Sequence, residues 1–183
     1  MFNQPYNHLG PYFNGYNHNE TQQDYRYFQN QVIPQEGNNH PHYTREQMYF
    51  RDHGGQPFVV DINVASKRNN NYRNAIWTGE HLQVTLMSIN PGEDIGLEVH
   101  PNVDQFLRIE QGQGFVQMGS SRNNLNFQRN AKDDDAIIVP AGTWHNVTNT
   151  GSIPLKLYSI YAPPNHPFGT VHHTKAQAMH MER

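Results

Sequence analysis

The sequence predicts an all-β fold, a sandwich or barrel of short strands, on three observations. From His81 onward, apolar and β-branched runs of four to eight residues follow one another at short spacing. Gly, Pro, Asn or Asp stands in nearly every gap between them, and these are the residues that turn a chain. Within several runs apolar and polar residues alternate, which aims one face at a core and the other at water.

The elements follow in chain order. Residues 1–40 are rich in Asn, Gln, Tyr and Phe, carry few charges, and repeat Tyr-Asn-His at 6–8 and 16–18. No apolar period is sustained there. Polar residues interspersed with aromatics predict a disordered, low-complexity tail that can self-associate. Its composition is similar to that of polar, Tyr-rich spore-coat proteins of bacteria. An assembly arm and a tail without a role are both open readings. Nothing positions His8, His18, His40 or His42, so they are expected in solvent.

Residues 41–183 are expected to form the folded domain, enough to bury a core of their own. Thr44-Arg45-Glu46-Gln47 has the form of a capping box and predicts a short helix, which Gly54-Gly55 would stop. Phe58–Val64 reads as a strand, Ser66–Asn74 as an exposed loop, and Ala75–Trp77 as another strand. The series then runs Leu82–Ile89, Ile95–His100, Gln105–Glu110, Phe115–Met118, Ala136–Val139, His145–Asn149 and Leu155–Tyr161. Residues 162–173 are rich in Pro and Gly and predict an ordered loop. Such a loop could bring His166 or His172 to a barrel mouth, or cover the outer surface at a dimer contact; the second reading is preferred. Thr174-Lys175-Ala176-Gln177 predicts a short C-terminal helix through His180.

Composition narrows the function. The 183 residues carry a net charge of −3, so no nucleic-acid or anionic-membrane partner is expected. No run approaches the ~18 apolar residues of a membrane span. Met1-Phe2-Asn3-Gln4-Pro5-Tyr6 has neither the basic region nor the apolar core of a secretory signal. A cytoplasmic location follows as the expectation, with spore association as the alternative. There is no Cys, which excludes disulfides and thiolate metal sites.

Two separated blocks carry the chemistry. In the first, Gly92 is followed after five residues by Glu98-x-His100, after four more by Gln105, and after six more by Gly112. In the second, Pro140-x-Gly142 is followed after two residues by His145 and after three more by Asn149. These spacings resemble the two motifs of the cupin superfamily, small jelly-roll-like β-barrels that hold a metal in the barrel mouth. Two departures concern the ligands. Where the usual set is three His and one Glu, this chain has Glu98 in place of the first His and Gln105 in place of the Glu. A further departure is Asp134 where the second motif opens on Gly.

The resemblance implies one divalent ion, Zn, Fe, Mn, Ni or Co, held by Glu98, His100, Gln105 and His145. Two imidazoles, one carboxylate and one amide oxygen make a workable mixed site with room for water or substrate. The alternative is a metal-free barrel whose polar residues line a pocket. Strand alternation places Glu98 and His100 on one face. It turns Gln105 inward, with Leu107 and Ile109, and sends Phe106, Arg108 and Glu110 to the opposite side. Lys156 is expected outward, and Leu155, Leu157, Ser159 and Tyr161 inward.

The Glu-x-His-Pro and Gln pattern also resembles cupins described as mannose-6-phosphate (sugar-phosphate) isomerase-like, and its ligand types are similar to those of zinc phosphomannose isomerases. A phosphate needs basic groups or a nest of N–H groups. No Lys or Arg is expected on an inward strand position; only Lys67, Arg68 and Arg73, from a loop, could reach the mouth. The resulting expectation is a metal-dependent isomerase acting on a small, polar, sugar-like molecule, with Tyr161 or a metal-bound hydroxide as base and a homodimer as the assembly. A metal-dependent dioxygenase, or a non-catalytic cupin used for binding or structural assembly, are the alternatives. Trp144 is expected to pack outside, and Asn149 to tie down a turn.

Overall fold

The computed structural model describes residues 50–181. The tail expected over 1–40 and the start of the helix expected at Thr44 lie outside that range. Phe50 is helical, and Gly54-Gly55 form a turn. The elements are α1 (Ile62–Arg68), β1 (Arg73–Thr78), β2 (Gln83–Ile89), β3 (Asp104–Gln111), β4 (Gln113–Gly119) and β5 (Phe127–Lys132). They continue as β6 (Ala136–Val139), β7 (Trp144–Asn149), β8 (Leu155–Ala162), β9 (Val171–His172) and α2 (Lys175–Met181). No helix among the described residues is long and apolar enough to cross a membrane.

Two antiparallel sheets enclose the core, one ordered β6-β3-β8-β2-β1-β9 and the other β5-β4-β7. Leu107 and Ile109 of β3, Val116 of β4, Val147 of β7, and Leu155 and Leu157 of β8 belong to one buried cluster. Removing such side chains from water is the main stabilising contribution. The alternation read from the sequence holds on β3 and β8: Gln105, Leu107, Ile109, Leu155, Leu157, Ser159 and Tyr161 are all at most 2% exposed. The fold is the all-β jelly-roll barrel that the motifs implied, closed by the expected C-terminal helix.

The chain between β2 and β3 departs from the expected strand over Ile95–His100. It forms isolated bridges instead, Asp94 to Thr148 and Glu98 to His145, alongside β7. Gly96 explains the break: its φ of 85° is left-handed and interrupts a regular ladder. The Glu98 N–H still donates to His145 O at 3.1 Å, and the His145 N–H to Glu98 O at 2.9 Å. A broken strand therefore does what a regular one would, locking the two motif blocks side by side.

The strand expected at Phe58–Val64 is a correction, because α1 begins there. Asp61 is its N-cap, accepting from the Val64 N–H at 3.0 Å, and that carboxylate satisfies a donor a strand would not orphan. The exposed loop expected from Ser66 to Asn74 is likewise replaced, first by the end of α1 and then, from Arg73, by β1. Ala65 of α1 packs with Ile76 and Leu86 on the outer side of the large sheet.

That covering changes the environment of two outward charges. Glu110 and Lys156 lie on the outer side as expected, yet they are only 0% and 5% exposed. Asn63 of α1 and Arg108 donate to the Glu110 carboxylate, and Lys156 Nζ donates to Asn69 O and Asn70 Oδ1. Burial alone lowers the Lys156 pKa from its ordinary value, so these acceptors compensate a real desolvation cost.

β5 was not expected. It reads Phe-Gln-Arg-Asn-Ala-Lys, and only Ala131 is buried, so its sequence lacks an apolar alternation. α2 begins as predicted: Thr174 Oγ1 accepts from the Gln177 N–H at 3.2 Å, and Gln177 Oε1 accepts from the His173 N–H at 2.8 Å. Ala178 joins the core.

Candidate metal centre

Glu98, His100 and His145 offer ligand atoms that all lie within 4.8 Å of one another. Glu98 Oε1 stands 3.4 Å from both His100 Nε2 and His145 Nε2. Donors bound to one divalent ion at ~2.0–2.2 Å are themselves roughly 3.0–3.6 Å apart, so the spacing fits a shared ion. The orientation of His145 also fits. Its Nδ1 lies 2.9 Å from the Thr143 carbonyl, and a carbonyl only accepts, so Nδ1 carries the proton. Nε2 is the nitrogen turned toward Glu98, the one that would bind an ion.

Gln105 comes in from β3, opposite Tyr161 of β8. Its Nε2 donates to Ser159 Oγ at 2.9 Å, which leaves Oε1 as the group's remaining acceptor. Glu98 Oε1, His100 Nε2, His145 Nε2 and Gln105 Oε1 are all buried without a well-formed hydrogen bond. Buried polar atoms are costly when unsatisfied. A cation answers for oxygen and imidazole donors in a way that a metal-free pocket does not. The Glu98, His100 and His145 group thus fits one divalent ion.

Burial pushes the Glu98 carboxyl up, but the facing His100 and His145 rings and the Arg73 guanidinium outweigh it, holding Glu98 well below the usual carboxylate range. The side chains of Glu98 and His100 are 18% and 11% exposed, while His145 is 1% exposed.

Two features of the site differ from the sequence expectations. Arg73 is not on a loop: it opens β1, is 1% exposed, and places its Nη2 3.9 Å from Glu98 Oε2. An inward arginine was not foreseen because all of Arg73-Asn74-Ala75-Ile76 is buried, leaving no alternation to mark an inner face. The second is the loop after β8, for which outer coverage was preferred. His166 is 8% exposed, and its ring meets Tyr161 edge-on at 5.0 Å. Tyr161 in turn meets His100 edge-on at 5.7 Å. The Gln83 side chain clamps the His166 backbone, donating to its carbonyl at 2.9 Å and accepting from its N–H at 3.0 Å. His172 lies at the other end of the loop, on β9, paired with Arg73.

The remaining expectations fall away from the centre. Asn149 ties down its turn, donating to Ile89 O and Ile153 O and accepting from the Gly151 N–H. Trp144 is half-buried, opposite Gly119 in the ladder. Lys67 and Arg68 end α1.

Comparison with known proteins meets this geometry. The Cupin domain family model matches residues 85–161, from within β2 to within β8. The Bacillus subtilis protein YrkC is 69% identical over 140 residues, covering 76% of this chain and 75% of that protein. This chain belongs to the cupin family. The crystal structure of BH2720 from Bacillus halodurans is similar to this cupin with a TM-score of 0.71 and 67% identity, over 71% of this chain and 98% of that one. A protein of Acanthamoeba polyphaga mimivirus is 38% identical over 117 residues, 63% of this cupin and 71% of its relative.

Proposed function

We propose that this cupin holds one divalent first-row metal ion through Glu98, His100, His145 and Gln105, and acts on a small, polar, sugar-like molecule by metal-assisted isomerisation. The observation that supports it is the convergence of buried donors: three lie within 4.8 Å of one another, and all four lack well-formed hydrogen bonds. An ion bound there supplies polarisation of a carbonyl or enediolate oxygen. The chain supplies the rest. Thr143 fixes the His145 tautomer, Ser159 orients the Gln105 amide, and the buried barrel interior excludes water. Tyr161, edge-on to both His100 and His166, is the candidate to carry a proton between substrate carbons. Arg73, expected to reach the mouth only from a loop, instead stands on β1 beside Glu98, which supports an anionic sugar derivative as substrate.

One observation favours a second reading. Two His and one carboxylate are also the donor types of the facial triad that supports oxygenation when the ion is iron. Elemental analysis of protein purified without a His tag or added metal tests the centre, and one first-row ion per chain is expected. Deuterium exchange of aldoses in D₂O, followed by NMR, tests the reaction. Absence of metal sinks the centre; metal without exchange across an aldose panel sinks isomerisation and leaves oxygenation.

A further inference from the structure

We propose that Arg73 is a positioning residue for this metal centre, holding one oxygen of Glu98 so that the carboxylate offers the ion only its other oxygen and a coordination position stays open for substrate. The proposal rests on the metal centre proposed above.

The two oxygens of Glu98 face different partners. Oε1 is 3.4 Å from each imidazole Nε2, whereas Oε2 is 3.9 Å from Arg73 Nη2. A carboxylate beside a divalent ion can bind through one oxygen or two, and nothing in Glu98's own chemistry decides between them. A cation fixed on the second oxygen does decide. Arg73 is suited to the task because its guanidinium is always charged and planar. Its backbone is pinned between two strands, opposite Met87 of β2 on one side and His172 of β9 on the other. The Tyr72 ring supports the guanidinium, 5.7 Å from its centroid, and Tyr72 is anchored by its hydroxyl to Ile95 O at 2.8 Å. Glu98 is pinned equally well through its backbone pair with His145. Each partner is therefore placed by the fold, and the carboxylate is divided between an ion on one side and an arginine on the other.

The consequence is functional. Three single-oxygen or single-nitrogen donors plus the Gln105 oxygen leave room on a first-row ion, and a second Glu98 oxygen would take some of it. The inference is tested on full-length protein loaded with Co²⁺, whose visible d–d bands report coordination number. Imidazole is the probe because it is neutral, so losing the Arg73 charge does not itself change its attraction to the site.

Wild type is expected to bind Co²⁺ and take up imidazole with a spectral change. Arg73→Met should still bind Co²⁺, show weaker and blue-shifted d–d bands, and bind imidazole about tenfold more weakly or worse, the scale usual for lost outer-shell support. Arg73→Lys, which keeps a cation on Oε2, should restore much of the wild-type spectrum. Should Arg73→Met fail to fold, Arg73→Gln supplies the same comparison. Wild-type bands and wild-type imidazole affinity in the charge-removing variant would overturn the positioning role while leaving the metal centre intact. A wild-type protein that takes up no Co²⁺ would overturn the centre itself, and this inference with it.

Discussion

His145→Ala is the sharpest perturbation of the centre, because His145 is buried at 1% exposure and oriented by Thr143. Metal binding stabilises a folded protein by mass action, and an ion at a hundred times its dissociation constant adds about 2.7 kcal/mol. For a domain of about 130 described residues, each kcal/mol moves the melting temperature by roughly 3–5 °C. Wild type should therefore melt about 8–14 °C higher with saturating metal than in chelator. In His145→Ala one of the proposed four donors is gone, the one oriented by the Thr143 carbonyl. If a centre of this kind contributes on the order of 10–16 kcal/mol, one donor in four carries about 3 kcal/mol, or more than a hundredfold in affinity.

The metal concentration that saturates wild type would then leave the variant mostly empty, and its melting curve should not move on adding metal. Differential scanning fluorimetry with and without metal provides the comparison, with metal content read in parallel. The variant's own baseline shifts through the lost side-chain volume, so the quantity that matters is the metal-induced difference. A wild-type-sized metal shift in His145→Ala would refute the assignment of this residue to the centre.

Three further outcomes are expected. Glu98→His combined with Gln105→Glu should keep a folded, metal-binding barrel because one carboxylate is retained, whereas either single change alters the site's charge; an intact double variant without metal would show that the geometry depends on the present residues. The Asp94 carboxyl is pushed up by burial but more strongly held down by the Lys175 ammonium and the Gly96 N–H. Its contribution is thus present above the unfolded value of about 3.9 and lost as pH falls through the lower folded value. Asp94→Asn should cost under ~1 kcal/mol at pH 7, with the gap to wild type closing below about pH 4 in urea melts; a gap that persists at lower pH would contradict the ion-pair origin. Deleting residues 1–40 should leave melting temperature and metal content nearly unchanged while reducing self-association in sedimentation, and a large drop in melting temperature would show that the segment packs on the barrel.

The parts of the site legible in the sequence are those whose spacing is enforced by the backbone. Glu98 and His100 are two residues apart, so extended backbone puts both on one face whether or not a regular strand forms there. That is why the placement of Glu98 and His100 survived although the strand over Ile95–His100 did not. His145 and Gln105 came from the motif resemblance, and alternation along β7 and β3 then gave the face each would take. Elements without a period were not legible. β5 is an exposed polar edge strand, and the seven residues from Phe58 are too few to separate a buried strand from a capped helix, with Asp61 the one signal that favoured the helix.

Arg73 shows a deeper reason for illegibility. A buried arginine is excluded by every local rule of hydrophobic patterning, because desolvating it is unfavourable unless an anion stands beside it. Its anion is Glu98, on a segment far along the chain that also carries a motif residue. The two side chains explain each other only once the fold brings them to 3.9 Å. The glutamate that departs from the usual cupin histidine therefore answers a cation on β1 as well as the proposed metal ion. A carboxylate has two oxygens with which to meet both, and an imidazole that gives one nitrogen to a metal has only an N–H left, which cannot accept from a guanidinium. The substitution at 98 and the burial of Arg73 are, on this geometry, one structural feature divided between two places in the chain.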